Sequence, residues 1–429
     1  MPSLSNRLCN RDDQLLSGLM RNSDTEVLKQ FGYEWVAQSD AWSRQLLYEY
    51  LAAGRFPQPH SGLLRGILQT AVEREYWEVM AYLFVGVDRS IRRGRIVQTK
   101  SSDSRQVSRE SLRVPRQPVI SVEMRGWLRR QVCTWFEKLG EQDSHELLRA
   151  TCAALAQYTD EDFKTAERIL DNYCLLRTCF AKSPALVFGP VHTQVVDGYS
   201  LNDLEPSPES PADWESSDAS GQLITLAARS PAAFVRWWST EQFARASRAS
   251  TRVGSEAIVQ LVACSDENLT PMIKLVLQQQ AAEFSPTVWQ QLLAESAATH
   301  VEVILDSFET LHRQRSLSAA FLTTLCCRLP DRVSSRIIAT LARLLRTNHE
   351  PFQSSQNCIP FLKLMLESAG CSRSRPWLVE QLLGTTGDDM TAGAAIRQYV
   401  SDQLPHLSPT ARLDYIAAMH RYGAELPVS

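Results

Sequence analysis

Two sets of arginines carry the chemistry that spacing alone points to in this chain. Arg245, Arg248 and Arg252 stand at i, i+3 and i+7, and Arg332, Arg336 and Arg343 form a second set, so each shares one face of a helix. A guanidinium is a rigid fork of N–H donors that suits carboxylate and phosphate alike. The six form a candidate interaction surface for an acidic protein segment or a nucleic-acid backbone. The plainer expectation is the wet face of an amphipathic helix. Other reactive types are scattered. The histidines (His60, His145, His192, His300, His312, His349, His406 and His420) form no His-Glu-x-x-His, and no two cysteines form Cys-x-x-Cys. There is no phosphate loop, no dinucleotide fingerprint and no nucleophile elbow. Glu161-Asp162 and Asp388-Asp389 read as helix-start caps, and Cys326-Cys327, beside Leu325 and Leu329, as buried thiols. No catalytic, cofactor-binding or metal-ligating residue is assigned, and no cofactor is expected.

The elements that must hold these side chains are helices. In the stretch 128–139, Leu128, Val132, Trp135, Phe136 and Leu139 recur at helical spacing. Gly140 is expected to end that helix at a C′ position, and Asp143 or Ser144 to cap the next. Trp127, Trp135 and Phe136 are expected in the core. The next helix carries Leu148, Cys152 and Leu155, and a third runs from Asp160–Asp162 through Phe163, Ile169 and Tyr173. Short connections between amphipathic helices make antiparallel neighbours, and each pair has more apolar surface than it can bury alone.

Leu128-Arg129, Val132, Trp135-Phe136 and Leu139 sit in the register of a HEAT-like helix, with a bulkier apolar pair than those families use. The chain thus resembles HEAT-like α-helical repeat proteins. Trp127 to Gly140, with Tyr158–Asp162 and Ser183–Leu186, also resembles poorly characterised bacterial helical proteins sometimes fused to WGR modules. No Trp-Gly-Arg triplet occurs here, so no function tied to that module carries over. The resemblance implies an all-α fold, a HEAT-like helical-repeat (α-solenoid) array. At most one short β-hairpin is expected, around Gly189-Pro190, from the runs 185–189 and 191–196.

Charge and composition divide the chain. Residues 1–87 read as an N-terminal helical bundle. Residues 88–118 hold nine basic residues against three acidic ones and read as a basic flexible linker. No aromatic residue interleaves those charges as a base-stacking platform requires. Residues 119–196 hold the central HEAT-like helices. Residues 197–218 hold seven acids, no bases and three prolines and read as an acidic linker that can cover an arginine stripe. Residues 219–429 form a C-terminal helical-repeat domain. Its Ser/Thr-Pro pairs at 230/231, 270/271, 285/286 and 408/409 are helix-start signals, since proline lacks the N–H that is orphaned there.

The net charge of −3 supplies no global field toward nucleic acid or an anionic membrane. No run approaches the ~20 apolar residues of a membrane span. The opening Met1–Arg7 lacks the apolar core of a secretory signal, so reduced cysteines and the cytoplasm are expected. The leading expectation is a non-enzymatic scaffold that binds a protein partner. A nucleic-acid-binding solenoid using the arginine stripes comes second, and an enzyme without a recognisable motif third.

Overall fold

The computed structural model describes residues 3–90, 120–189, 193–208, 214–246, 253–315, 390–406 and 408–420, with single positions between 317 and 344. The fold is all-α, with one two-stranded antiparallel sheet among the described residues. The chain divides into two compact units, Met1–Thr251 and Arg252–Ser429.

The first unit opens with α1 (Leu4–Cys9), α2 (Leu15–Arg21), α3 (Thr25–Ala37), α4 (Ala41–Ala53), α5 (Ser61–Glu73) and α6 (Trp77–Arg89). Their starts are local chemistry. Asp24 accepts the Glu26 and Val27 amides, and Asp40 accepts that of Ser43. Gly54 ends α4 in the left-handed region at φ 61°, where a side chain would be strained. Leu28, Phe31 and Trp35 form the buried stripe of α3, and α5 buries Leu63, Leu64, Ile67, Leu68 and Ala71.

Helices two apart in sequence pack side by side. On α5, a Cβ at Gly62 would lie 2.2 Å from the Thr25 carbonyl oxygen, and one at Gly66 would lie 2.4 Å from that of Lys29. Tyr33 Oη donates to Gln69, 36 positions along the chain. These contacts advance together in both helices, so α3 and α5 run parallel. In the same way Arg44 meets Tyr76, Tyr48 meets Tyr82, and Arg89 donates to the Ala52 carbonyl, 37 positions away, so α4 and α6 are parallel.

The central helices are α7 (Val122–Gln142), α8 (Ser144–Leu155), α9 (Ala166–Asp171) and α10 (Tyr173–Phe180). Trp77 meets Arg149 and Phe84 meets Tyr158, so α8 extends the α4–α6 layer in the same direction. Gly140 does not end α7. The helix continues to Gln142, and a Cβ at 140 would lie 2.9 Å from Leu147 Cδ2, so this glycine admits the returning helix. Asp143, in extended conformation, is the actual break and caps α8 through the Glu146 amide at 2.9 Å.

The buried stripe of α7 is Leu128, Val132 and Phe136, whereas Trp127 and Trp135 are half-buried on its flank. Trp135 lies edge-on to Phe136, and Trp127 lies beneath Arg65. Phe136→Ala should cost about 3–5 kcal/mol, and Trp135→Ala distinctly less, because Phe136 is buried and Trp135 only half-buried. Urea unfolding of the two variants gives the comparison, and equal losses would contradict this placement.

Beyond α10 comes the expected hairpin. β1 (Leu186–Phe188) pairs antiparallel with β2 (Thr193–Val195), with Val187 opposite Gln194. Within 197–218, where Asp197–Ser200 and Asn202–Asp203 are exposed, a few residues anchor the stretch to the unit. Leu204 and Trp214 are buried, the Ser207 amide donates to the Cys179 carbonyl, and the Lys182 amide donates to Ser207. Residues 91–118 of the basic stretch lie outside the described residues. The unit closes with α11 (Ser217–Arg229), which packs on α8, and α12 (Ala233–Ala246), which packs on α11.

The second unit holds α13 (Ser255–Ala263), α14 (Thr270–Gln280), α15 (Pro286–Glu295), α16 (Val301–Arg315), α17 (Met390–Gln403) and α18 (Pro409–His420). Here α13 packs on α15 and α14 on α16, the same next-but-one pattern. Ser285 takes the Val288 amide with Pro286 behind it, as a helix-start pair requires. Ser230 instead follows the end of α11, and its hydroxyl accepts from the Ala232 amide. Among the described residues no helix is long and apolar enough to cross a membrane.

Candidate interaction surface

Of the six arginines singled out by spacing, two can be placed. Arg245 lies exposed near the end of α12 and donates to Glu205 at 2.9 Å. It borders an open groove of about 640 Å³ shared with Lys182, Tyr199, Asn202 and Asp203. The acidic stretch thus supplies the carboxylate that covers this arginine. Arg336, in the second unit, is paired with Glu302. Arg248, Arg252, Arg332 and Arg343 lie outside the described residues, as do Cys326-Cys327 and Asp388-Asp389.

A different set of arginines sits on the layer formed by α4, α6 and α8. Arg44 and Tyr48 are one turn apart on α4, so they share a face. The Arg44 guanidinium lies 4.5 Å above the centre of the Tyr76 ring, at the entry to α6. The next residue, Trp77, carries Arg149 of α8 over its ring at 5.0 Å. Tyr48 and Tyr82 stack at 4.3 Å with their planes 7° apart. Burial pushes both of those phenols above the usual tyrosine range. The Arg74 guanidinium beside the exposed Tyr76 hydroxyl, helped by Arg44, holds that phenol below it. Among the described residues, none of Arg44, Arg74 and Arg149 is in an ion pair. Spacing within one helix does not reveal this set, since its members come from three helices. The signal in the chain is an aromatic pair, Tyr76-Trp77, with one arginine partner before it in sequence and another after it.

The other concentration of polar groups is buried, at the end of α6. Asp88 is 1% exposed. Its carboxylate accepts from Tyr158 Oη at 2.7 Å and from the Cys174 and Leu175 amides at 2.9 and 3.1 Å. It therefore caps α10 from another helix, satisfying two of the amides that a helix start leaves orphaned. Burial pushes the Asp88 carboxyl above its usual value, opposed by the Arg129 charge and by these three donors. Arg129 is itself buried, lies over the Tyr173 ring at 4.9 Å and donates to the Asp171 carbonyl. The neighbouring Arg89 binds Asp162 through two bonds, of 2.9 and 2.7 Å, and also donates to the Ala52 and Gln157 carbonyls. Asp162 in turn forms a capping box with Thr159. Asp88 and Arg89 head the basic stretch by charge count, yet both are tied into the core of the unit.

Burial raises the Cys152 thiol to about 12 and those of Cys174 and Cys179 well above their usual value, so these cysteines pack as small apolar groups. His60 is fully buried. The Leu19 carbonyl can only accept, so Nε2 carries the hydrogen and Nδ1 accepts from Tyr50 Oη at 2.8 Å. Burial lowers its pKa from 6.5. As pH falls through 6.5 the unfolded chain takes up a proton that folded His60 refuses. Its contribution is complete above pH 6.5 and is lost as pH falls toward the folded value. The urea midpoint of the first unit should decline below pH 6.5, and His60→Gln should flatten part of that decline.

No protein-family model matches the chain, nor does any curated protein or solved structure.

Proposed function

We propose that the chain is a non-enzymatic protein-interaction scaffold, built as a HEAT-like helical solenoid and working in the cytoplasm. The observation that carries this reading is the parallel packing of helices two apart, which recurs along α3–α5 and along α4–α6–α8. Stacking of that kind leaves each layer's outer side chains on one continuous face, the type of surface that repeat proteins use for binding. The offsets of 36 and 37 positions between Tyr33 and Gln69 and between Arg89 and Ala52 are shorter than the ~40–47 residues of HEAT repeats. The helices of α3 to α6, at 13 residues each, account for the shorter repeat.

Nucleic acid is the less favoured partner. Arg245 and Arg336 are each already matched by a glutamate, which a phosphate backbone would have to displace. Affinity purification of the full chain with and without nuclease, read by mass spectrometry, tests the reading. A protein partner retained after nuclease treatment is the expected result. Recovery that collapses on nuclease treatment would transfer the assignment to nucleic acid.

A further inference from the structure

The face of α4, α6 and α8 carries a more specific reading of the scaffold. Arg44 and Arg149 flank the Tyr76-Trp77 step, each with its guanidinium over a ring, and Arg74 stands beside the Tyr76 hydroxyl. A guanidinium held over a ring has lost much of its rotational freedom before any ligand arrives. Binding an anion then costs less ordering than binding to a free side chain does.

Three features select the anion. The arginines are unpaired among the described residues, so no internal carboxylate must leave first. Their field is not uniformly basic, because Glu73 and Glu75 flank Arg74 in sequence and Glu78 follows Trp77. A phosphate backbone, with one charge per ~1.7 Å of duplex, meets those glutamates as well as the forks. An extended peptide presents every second side chain to one side, so it can place carboxylates on the forks and skip the glutamates. The rings themselves are engaged. Tyr48 and Tyr82 cover one another, and guanidinium groups cover one face of Tyr76 and of Trp77, so this is a poor platform for bases.

We propose that this face, centred on Arg44, Arg74, Arg149, Tyr76 and Trp77, docks an extended acidic segment of a partner protein. The inference rests on the scaffold reading and names the partner's chemistry.

Fluorescence anisotropy of the full chain tests it with three labelled probes: a peptide alternating Glu and Ser, the same peptide with Lys for Glu, and oligo-thymidine. The Glu peptide should bind, more weakly as salt rises, and the Lys peptide should not. Arg44→Gln with Arg149→Gln should weaken it by about tenfold or more at an unchanged circular dichroism spectrum, whereas Arg245→Gln should leave it unaltered. Arg44→Lys with Arg149→Lys keeps the charge and removes the planar fork, so it should also weaken binding. The proposal fails if the Glu peptide does not bind at low salt, if both double variants bind it as the parent does, or if oligo-thymidine binds more tightly. A nuclease-resistant partner captured equally by parent and double variant would sink this docking face while leaving the scaffold reading in place.

Discussion

Asp88→Ala destabilises the first unit by about 3–5 kcal/mol, the range for removing one partner from a buried charged cluster. The loss has named components. The Cys174 and Leu175 amides lose their acceptor at the start of α10, Tyr158 loses the acceptor of its hydroxyl, and buried Arg129 loses the nearby negative charge. Asp88→Asn keeps one acceptor oxygen and should recover part of the loss but not the charge. The discriminating measurement is hydrogen exchange of the peptide spanning Tyr173–Phe180. Its amides should exchange faster in Asp88→Ala, and faster than those of α3 in the same sample. Uniform acceleration across the unit, or none in α10, would show that Asp88 is not the cap of that helix.

Gly62→Ala should cost about 1–3 kcal/mol although it adds a single methyl group, the range for overpacking a tight contact. The new Cβ would stand 2.2 Å from the Thr25 carbonyl oxygen and 2.7 Å from Thr25 Cγ2. A carbonyl in a helix cannot rotate aside, so α3 and α5 must separate along their contact. Gly221→Ala is the control, since a Cβ there meets nothing within 4 Å and the site lies inside α11. That change should instead stabilise by about 0.4–1 kcal/mol, by lowering the entropy of the unfolded chain. Thermal or urea midpoints of the two variants should move in opposite directions. Destabilisation by both, to the same degree, would mean that helix approach is not what sets the effect at Gly62.

These cases mark the division between what is local and what is not. A helical period repeats every few residues, so Leu128, Val132 and Phe136 declare their helix from a short window. The caps at Asp24, Asp40, Asp143 and Ser285 are equally local, because a side-chain oxygen reaches an amide two or three residues on. The hairpin strands, two three-residue runs on either side of Gly189-Pro190, are legible for the same reason.

The tertiary structure alone decided which residues those elements bring together. Gly140 carries the signature of a helix end, yet what it faces is Leu147 on the returning helix. Trp135 fits the apolar stripe by type, but α7 turns Phe136 inward and leaves Trp135 at the flank. Asp88 and Arg89 count as charges in a basic stretch, until the partners of Asp88 arrive from 70 to 87 positions away and fix it in the core. Arg245 shares a face with its neighbours by spacing, but its charge is answered by Glu205, 40 positions earlier. The stack of Arg44, Tyr76, Trp77 and Arg149 has no periodicity within any one helix. It exists because parallel helices place equivalent positions side by side, and that alignment is a property of packing between elements rather than of spacing along one.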